Sequence, residues 1–192
     1  MDNFLTIDYL IHGTTLQQAA YRLLKGNCIL ETLAPYTPVL AGTIPINIAI
    51  EGSDLDILCQ YTSAEEFTAS LIQAFSHYKG FTIRTAVING TESVISNFFI
   101  HDFELEIFGQ ATPVINQYGY RHMVVEHQIL LEKGEDFRQQ IISLKQQGYK
   151  TETAFAKLLG LQGNPYKALY NIFRVPNPEN LNVTTGNITK GS

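Results

Sequence analysis

Two short stretches of this chain, "SDLDILC" at residues 53–59 and "FELEIFGQ" at 103–110, alternate carboxylates with apolar side chains. Successive side chains of a strand point to opposite faces, so Asp54 and Asp56 share one face while Leu55 and Ile57 share the other. In the second stretch Glu104 and Glu106 share a face opposite Phe103, Leu105 and Ile107. Burying an unpaired carboxylate is costly, and a second one nearby adds repulsion, so something must offset the pairing. If the two strands are neighbours in one sheet, three or four carboxylates converge on a patch that suits a hard divalent cation. Magnesium fits that role because it takes one or two carboxylates, retains waters and draws its remaining ligands from substrate phosphates. The plain alternative is a solvated acidic face on an antiparallel sheet.

Helix and turn signals organise the rest. "TTLQQAAYRLLKG" has a threonine cap candidate, apolar residues at helical spacing and Gly26 as a stop, which predicts a helix over 14–25. "PVLAGT" reads as a short strand ending at Gly42-Thr43. "SAEEFTASLIQAFSHYKG" opens with Ser63, has Glu66 at the capping-box position and predicts a helix that ends at Gly80. "FTIRTAVI" and "SVISNFFI" read as strands joined by an Asn89-Gly90 hairpin turn, with Phe98, Phe99, Phe103 and Phe108 as sheet core. From about residue 115 the pattern is helical only, roughly 115–132, 135–147, 151–160 and 164–173. The fold class expected is α+β: a mixed sheet core flanked by helices over 1–112, a helical segment packed on it over 113–175, and a flexible tail over 176–192.

With 45% hydrophobic and 16% charged residues among 192, the chain has enough apolar content to bury a substantial core. A net charge of −5 gives no broad electrostatic footprint for nucleic acid, which favours a small-molecule or protein partner. Cys28 and Cys59 form no CxxC pair, no secretory leader is expected, and no apolar run approaches the ~20 residues of a membrane span. A cytoplasmic protein with reduced thiols is expected, with no membrane partner and Cys59 as a core residue.

The pair Gly42-Thr43, ten intervening residues and then Asp54-Leu55-Asp56-Ile57 resembles the signature of the nucleotidyltransferase superfamily related to DNA polymerase β. Over about residues 10–173 the chain further resembles an uncharacterised bacterial family of unknown function placed within that superfamily. The resemblance implies Mg²⁺-dependent transfer of a nucleoside monophosphate from an NTP to a small-molecule or protein acceptor, with a non-catalytic nucleotide-binding or regulatory module as the alternative. It implies Asp54 and Asp56 as metal ligands, with Glu106 or Glu104 as the third acidic residue. Gly42 and Thr43 would lie at the nucleotide phosphates, and Ser53 would bind phosphate or a local backbone group.

Two further candidates come from the residues themselves. "QYGYRHMVVEHQILL" places Arg121 beside His122 on a helix, where a guanidinium suits phosphate, while His122 and Glu126 are neighbours on one face. Lys150 precedes a helix N-cap expected at Thr151, where its charge and the helix N–H groups suit an anion.

Overall fold

Alternation of apolar side chains draws both acidic stretches into the middle of one five-stranded sheet. The structure is a computed structural model that describes residues 4–172, so the stretch 176–192, read as a flexible tail, lies outside the described residues. Strands β1 (Val39–Ala41), β2 (Leu55–Gln60), β3 (Lys79–Ile88), β4 (Thr91–Ile100) and β5 (Phe103–Gln110) lie in the order β1-β2-β5-β4-β3. β2 and β5 run parallel and the other pairs antiparallel, which makes this an α+β fold with a mixed sheet. A parallel pair needs a crossover, supplied here by helix α3 (Ala64–Phe75) and the β3–β4 hairpin.

Two cores meet at the sheet. On one face, Leu55, Ile57 and Cys59 of β2 and Leu105 and Ile107 of β5 pack with α1 (Thr15–Gly26), α3 and the short helix α2 (Ile29–Thr32). On the other face, Val39, Ala41 and Leu58 pack beneath α4 (Tyr118–Lys133), α5 (Glu135–Gln146), α6 (Thr151–Leu159) and α7 (Pro165–Ile172), through side chains such as Met123, Ile141, Phe155 and Leu169. Each large apolar side chain buried in this way contributes about 1.5–3 kcal/mol. The acidic residues sit on this second face, beyond the part that the helices cover. Among the described residues no helix is long and apolar enough to cross a membrane.

Local signals set most element ends. The Thr14 hydroxyl accepts the Gln17 N–H while the Gln17 carboxamide accepts the Thr14 N–H at 2.9 Å, a reciprocal capping box. The Ser63 hydroxyl accepts the Glu66 N–H at 3.2 Å and starts α3. Asn89 and Gly90 have φ of 52° and 81°, as the two central residues of a type I′ hairpin turn require.

Elsewhere the structure departs from the sequence reading. Helix α3 ends at Phe75 and not at Gly80, because Phe75 and Tyr78 both stack on Phe98, with ring centroids 5.0 and 5.2 Å away. Gly80 belongs to β3, at a slip in the ladder register. The helix expected from 115 starts at Tyr118, after a 3₁₀ turn over Val114–Asn116. Gln117 anchors that start, its amide donating to the carbonyls of Cys59 and Thr112 at 2.8 and 2.9 Å. Lys150, not Thr151, occupies the N-cap position of α6. Phe99 points away from the core and is 39% exposed.

The connection from β1 to β2, residues 42–54, contains neither helix nor strand, yet it is fixed from three directions. The Gln17 amide donates to the carbonyls of Ile44 and Pro45 at 2.9 and 3.1 Å. Arg138 of α5 donates through Nη1 to the carbonyls of Ile46 and Asn47, and Lys145 of the same helix donates to the carbonyl of Ile48 at 2.8 Å. Ile44 enters one core while Ile46 and Ile48 enter the other, so the loop bridges both. Gln17→Ala removes both sides of this arrangement at once, cap and latch. At about 0.5–1.5 kcal/mol for each net hydrogen bond, it is expected to cost about 2–3 kcal/mol in a denaturant titration. A loss under about 0.5 kcal/mol would contradict the latch.

Candidate functional site

A row of residues crossing the sheet defines the site. Ala41 of β1 pairs with Asp56 of β2, Asp56 with Glu106 of β5, and Glu106 with Asn97 of β4. Two carboxylates therefore stand side by side on neighbouring strands, and Asp54 lies just ahead of β2. Gly42 follows Ala41 with φ of +78°, and a Cβ at that position would overlap the Asp56 carboxylate. Glycine is required there for both backbone and space.

The row opens into a cleft of about 690 Å³, within the range of small-ligand pockets. One wall carries Gly42, Thr43, Ser53, Asp54, Asp56 and Glu106, and the opposite, helical wall carries His122, Glu126, Lys145, Lys150 and Glu152. Seven of the residues expected from sequence thus meet in one cleft: Gly42, Thr43, Ser53, Asp54, Asp56, Glu106 and Lys150. Arg121 and Glu104 do not line it, whereas Arg121's neighbour His122 does. Glu104 pairs instead with Phe99 and accepts a hydrogen bond from Asn97 Nδ2 at 3.2 Å; the same nitrogen donates to Glu106 at 3.4 Å. The Ser53 hydroxyl accepts the Ile50 N–H at 2.9 Å, so it is engaged in its own loop. His122 approaches Glu152 (Nδ1 to Oε1, 3.7 Å) and the Tyr166 carbonyl (Nε2, 3.2 Å).

Crowded carboxylates raise one another's proton affinity. The Asp56 carboxyl is held well above the usual range, first by burial and then by the charges of Asp54 and Glu106, with Lys145 opposing. Glu106 is raised by burial, an effect partly countered by its hydrogen bond from Asn97. Glu126 is raised by burial and by Glu152. Lys145 is pushed down to about 8 by burial, although Glu126, Asp54, Asp56 and Glu152 all favour its charged form.

Lys145 and Glu152 were not singled out from sequence, and Glu126 was named only as the neighbour of His122, although a signal for all three exists. Each occupies a position in an apolar helical stripe: Lys145 follows Ile141 and Leu144, Glu126 lies between Met123 and Leu130, and Glu152 precedes Phe155 and Ala156. A charge where the helical period demands an apolar residue marks a buried ionic role.

The donor set fits a hard cation. Among the described residues the carboxylates of Asp54 and Asp56 accept no hydrogen bond, so their lone pairs are available. No group of three His, Cys, Asp or Glu side chains among the described residues is arranged as a ready metal cage. A magnesium ion held by these carboxylates would thus take further ligands from phosphate and water, as is usual for that ion.

A family model described as a domain of unknown function, DUF4269, matches residues 22–172. No curated protein matches the sequence. Among solved structures, the GLD-2/RNP-8 complex is similar with a TM-score of 0.51 at 12% identity, over 96% of this chain and 73% of that one. The Cid1 poly(U) polymerase bound to MgGTP gives a TM-score of 0.47 at 13% identity, over 67% of this chain and 40% of that one. Cid1 described for its RNA terminal uridylyl transferase activity gives 0.45 at 15% identity, over 67% and 38%. At such identities the likeness concerns the fold, and this chain spans only 38–40% of the length of the two Cid1 structures.

Because burial raises Asp56 and Glu106 in the folded state, the native protein keeps protons that the unfolded chain releases. Stability from these groups therefore falls as pH rises from the unfolded carboxylate range through the higher folded values. Asp56→Asn is expected to raise the melting temperature of the metal-free protein at pH 8 by about 2–4 °C, with a smaller gain at pH 5. A lower melting temperature at pH 8 would contradict the repulsion.

Proposed function

This chain belongs to the DUF4269 family of unknown function, and we propose that it is a Mg²⁺-dependent nucleotidyltransferase that moves a nucleoside monophosphate from an NTP to a small-molecule or protein acceptor. The observation that carries this reading is the pairing of Asp56 with Glu106 across β2 and β5, beside Gly42 and next to Asp54, at the mouth of a ligand-sized cleft. On this reading residues 1–112 supply the nucleotide-binding core and 113–175 the opposite wall.

Asp54, Asp56 and Glu106 are the residues that would hold one or two magnesium ions. Glu106 is chosen over Glu104 because it lines the cleft. Magnesium, when bound, neutralises phosphate charge and polarises the phosphoryl oxygens. The N–H after a positive-φ glycine and the Thr43 hydroxyl are suited to phosphate oxygens, and Lys145 and Lys150 supply positive charge from the helical wall. The acceptor oxygen attacks the α-phosphorus, the bond to the oxygen bridging the β-phosphorus breaks, and pyrophosphate leaves. The proton released from the acceptor passes to a nearby base, a role Glu106 would take in place of holding metal. Six carboxylates in the cleft, Glu51, Asp54, Asp56, Glu106, Glu126 and Glu152, against Lys145 and Lys150 disfavour a polyanionic acceptor such as nucleic acid.

The test is equilibrium binding of each NTP with and without Mg²⁺, together with pyrophosphate release. The double variant Asp54→Asn, Asp56→Asn is expected to lose Mg²⁺-dependent NTP binding and to lower pyrophosphate release by about 100-fold or more. NTP binding that the double variant leaves intact would overturn the metal assignment. Mg²⁺-dependent binding with no pyrophosphate release against any hydroxyl-bearing acceptor would instead select the non-catalytic nucleotide-binding module.

A further inference from the structure

Glu126, on the helical wall, has no task in nucleotidyl transfer as described. It is 4% exposed, it lines the cleft, and its Oε1 has no hydrogen-bond partner among the described residues. Buried carboxyl oxygens in folded proteins are normally satisfied, and Glu126 lines the cleft, so a molecule bound there is the available source of the missing donor. Lys145 of α5 interacts with Glu126 through its charge, but its Nζ donates to the Ile48 carbonyl at 2.8 Å. Glu152 of α6 places a negative charge beside Glu126, and His122 Nδ1 stands 3.7 Å from its carboxylate.

We propose that Glu126 and Glu152 form a recognition subsite for a protonated amine carried by the acceptor. This rests on the nucleotidyl-transfer reading for the word acceptor, but not for the binding itself. Charge argues for an ammonium over a neutral donor. A hydroxyl or amide would satisfy Oε1 alone, whereas an ammonium brings three donors and a positive charge that favours the ionised form of the proton-retaining Glu126 beside Glu152. An acceptor bearing both an amine and a hydroxyl would be held by the first and would present the second to the row.

The experiment is calorimetric titration of the full chain with 1,3-diaminopropan-2-ol and with glycerol, its uncharged counterpart, in the absence of Mg²⁺ and nucleotide. The diamine is expected to bind about 10-fold or more tightly than glycerol. Glu126→Gln is expected to remove about 10-fold of diamine affinity and Glu152→Gln several-fold, while Glu65→Gln, an exposed position on α3, changes nothing. Glu152 is only partly buried, so its variant still tests the subsite if Glu126→Gln fails to fold. Equal affinity for diamine and glycerol, or diamine binding unchanged in both variants, would overturn the proposal. So would a Glu126→Gln protein whose NTP affinity falls while diamine binding stays, since that outcome puts the nucleotide at Glu126. Glutamate-dependent diamine binding by a chain that binds no NTP would keep the subsite and sink the nucleotidyl-transfer reading.

Discussion

Mutual repulsion among Asp54, Asp56 and Glu106 is the constraint around which the rest of the structure is arranged. Parallel pairing of β2 with β5 sets Asp56 against Glu106. Burial beside the helical segment then removes the water that would screen them, and both are raised. Three features tolerate the crowding. Gly42 leaves room for the Asp56 carboxylate, Asn97 donates to Glu106, and Lys145 supplies a nearby positive charge. None of them removes the repulsion.

The sheet's two faces explain why the cost is sustainable. Leu55, Ile57, Leu105 and Ile107 anchor the acidic strands in one fully packed core, so the strands cannot shift to relieve the carboxylates. A slip of one residue would send the acids into that core, which fixes the register. On the opposite face the side chains grade from Leu58 and Phe108, packed under the helices, to Asp56 and Glu106 at the cleft. The 42–54 loop is tied by Gln17, Arg138 and Lys145 to elements far away in the chain. Lys145 belongs to both systems, since the ammonium that holds Ile48 also faces the carboxylates.

Much of this was legible in the chain. Period-two alternation placed Asp56 and Glu106 each on the face opposite its strand's apolar residues, Asn89-Gly90 marked the hairpin, and the capping signals at Thr14 and Ser63 marked the helix starts. Those are local features with local causes. The pairing of β2 with β5 is not local, which is why spacing could not decide between Glu104 and Glu106, which differ in the fold. The end of α3 depends on stacking against Phe98, some twenty residues away, and sequence spacing put it at the nearest glycine instead. Lys145, Glu126 and Glu152 each stood in an apolar stripe as the one charge out of pattern. What they meet is decided by three helices that converge only in the folded chain.

Crystals of the protein soaked with Mn²⁺ and a non-hydrolysable NTP, measured at the manganese absorption edge, test the carboxylate row most directly. The row predicts anomalous density about 2.0–2.3 Å from carboxylate oxygens of Asp54 and Asp56, shared with phosphate oxygens and with Glu106 rather than Glu104. Manganese bound elsewhere, or nucleotide bound with no metal at these carboxylates, would contradict it.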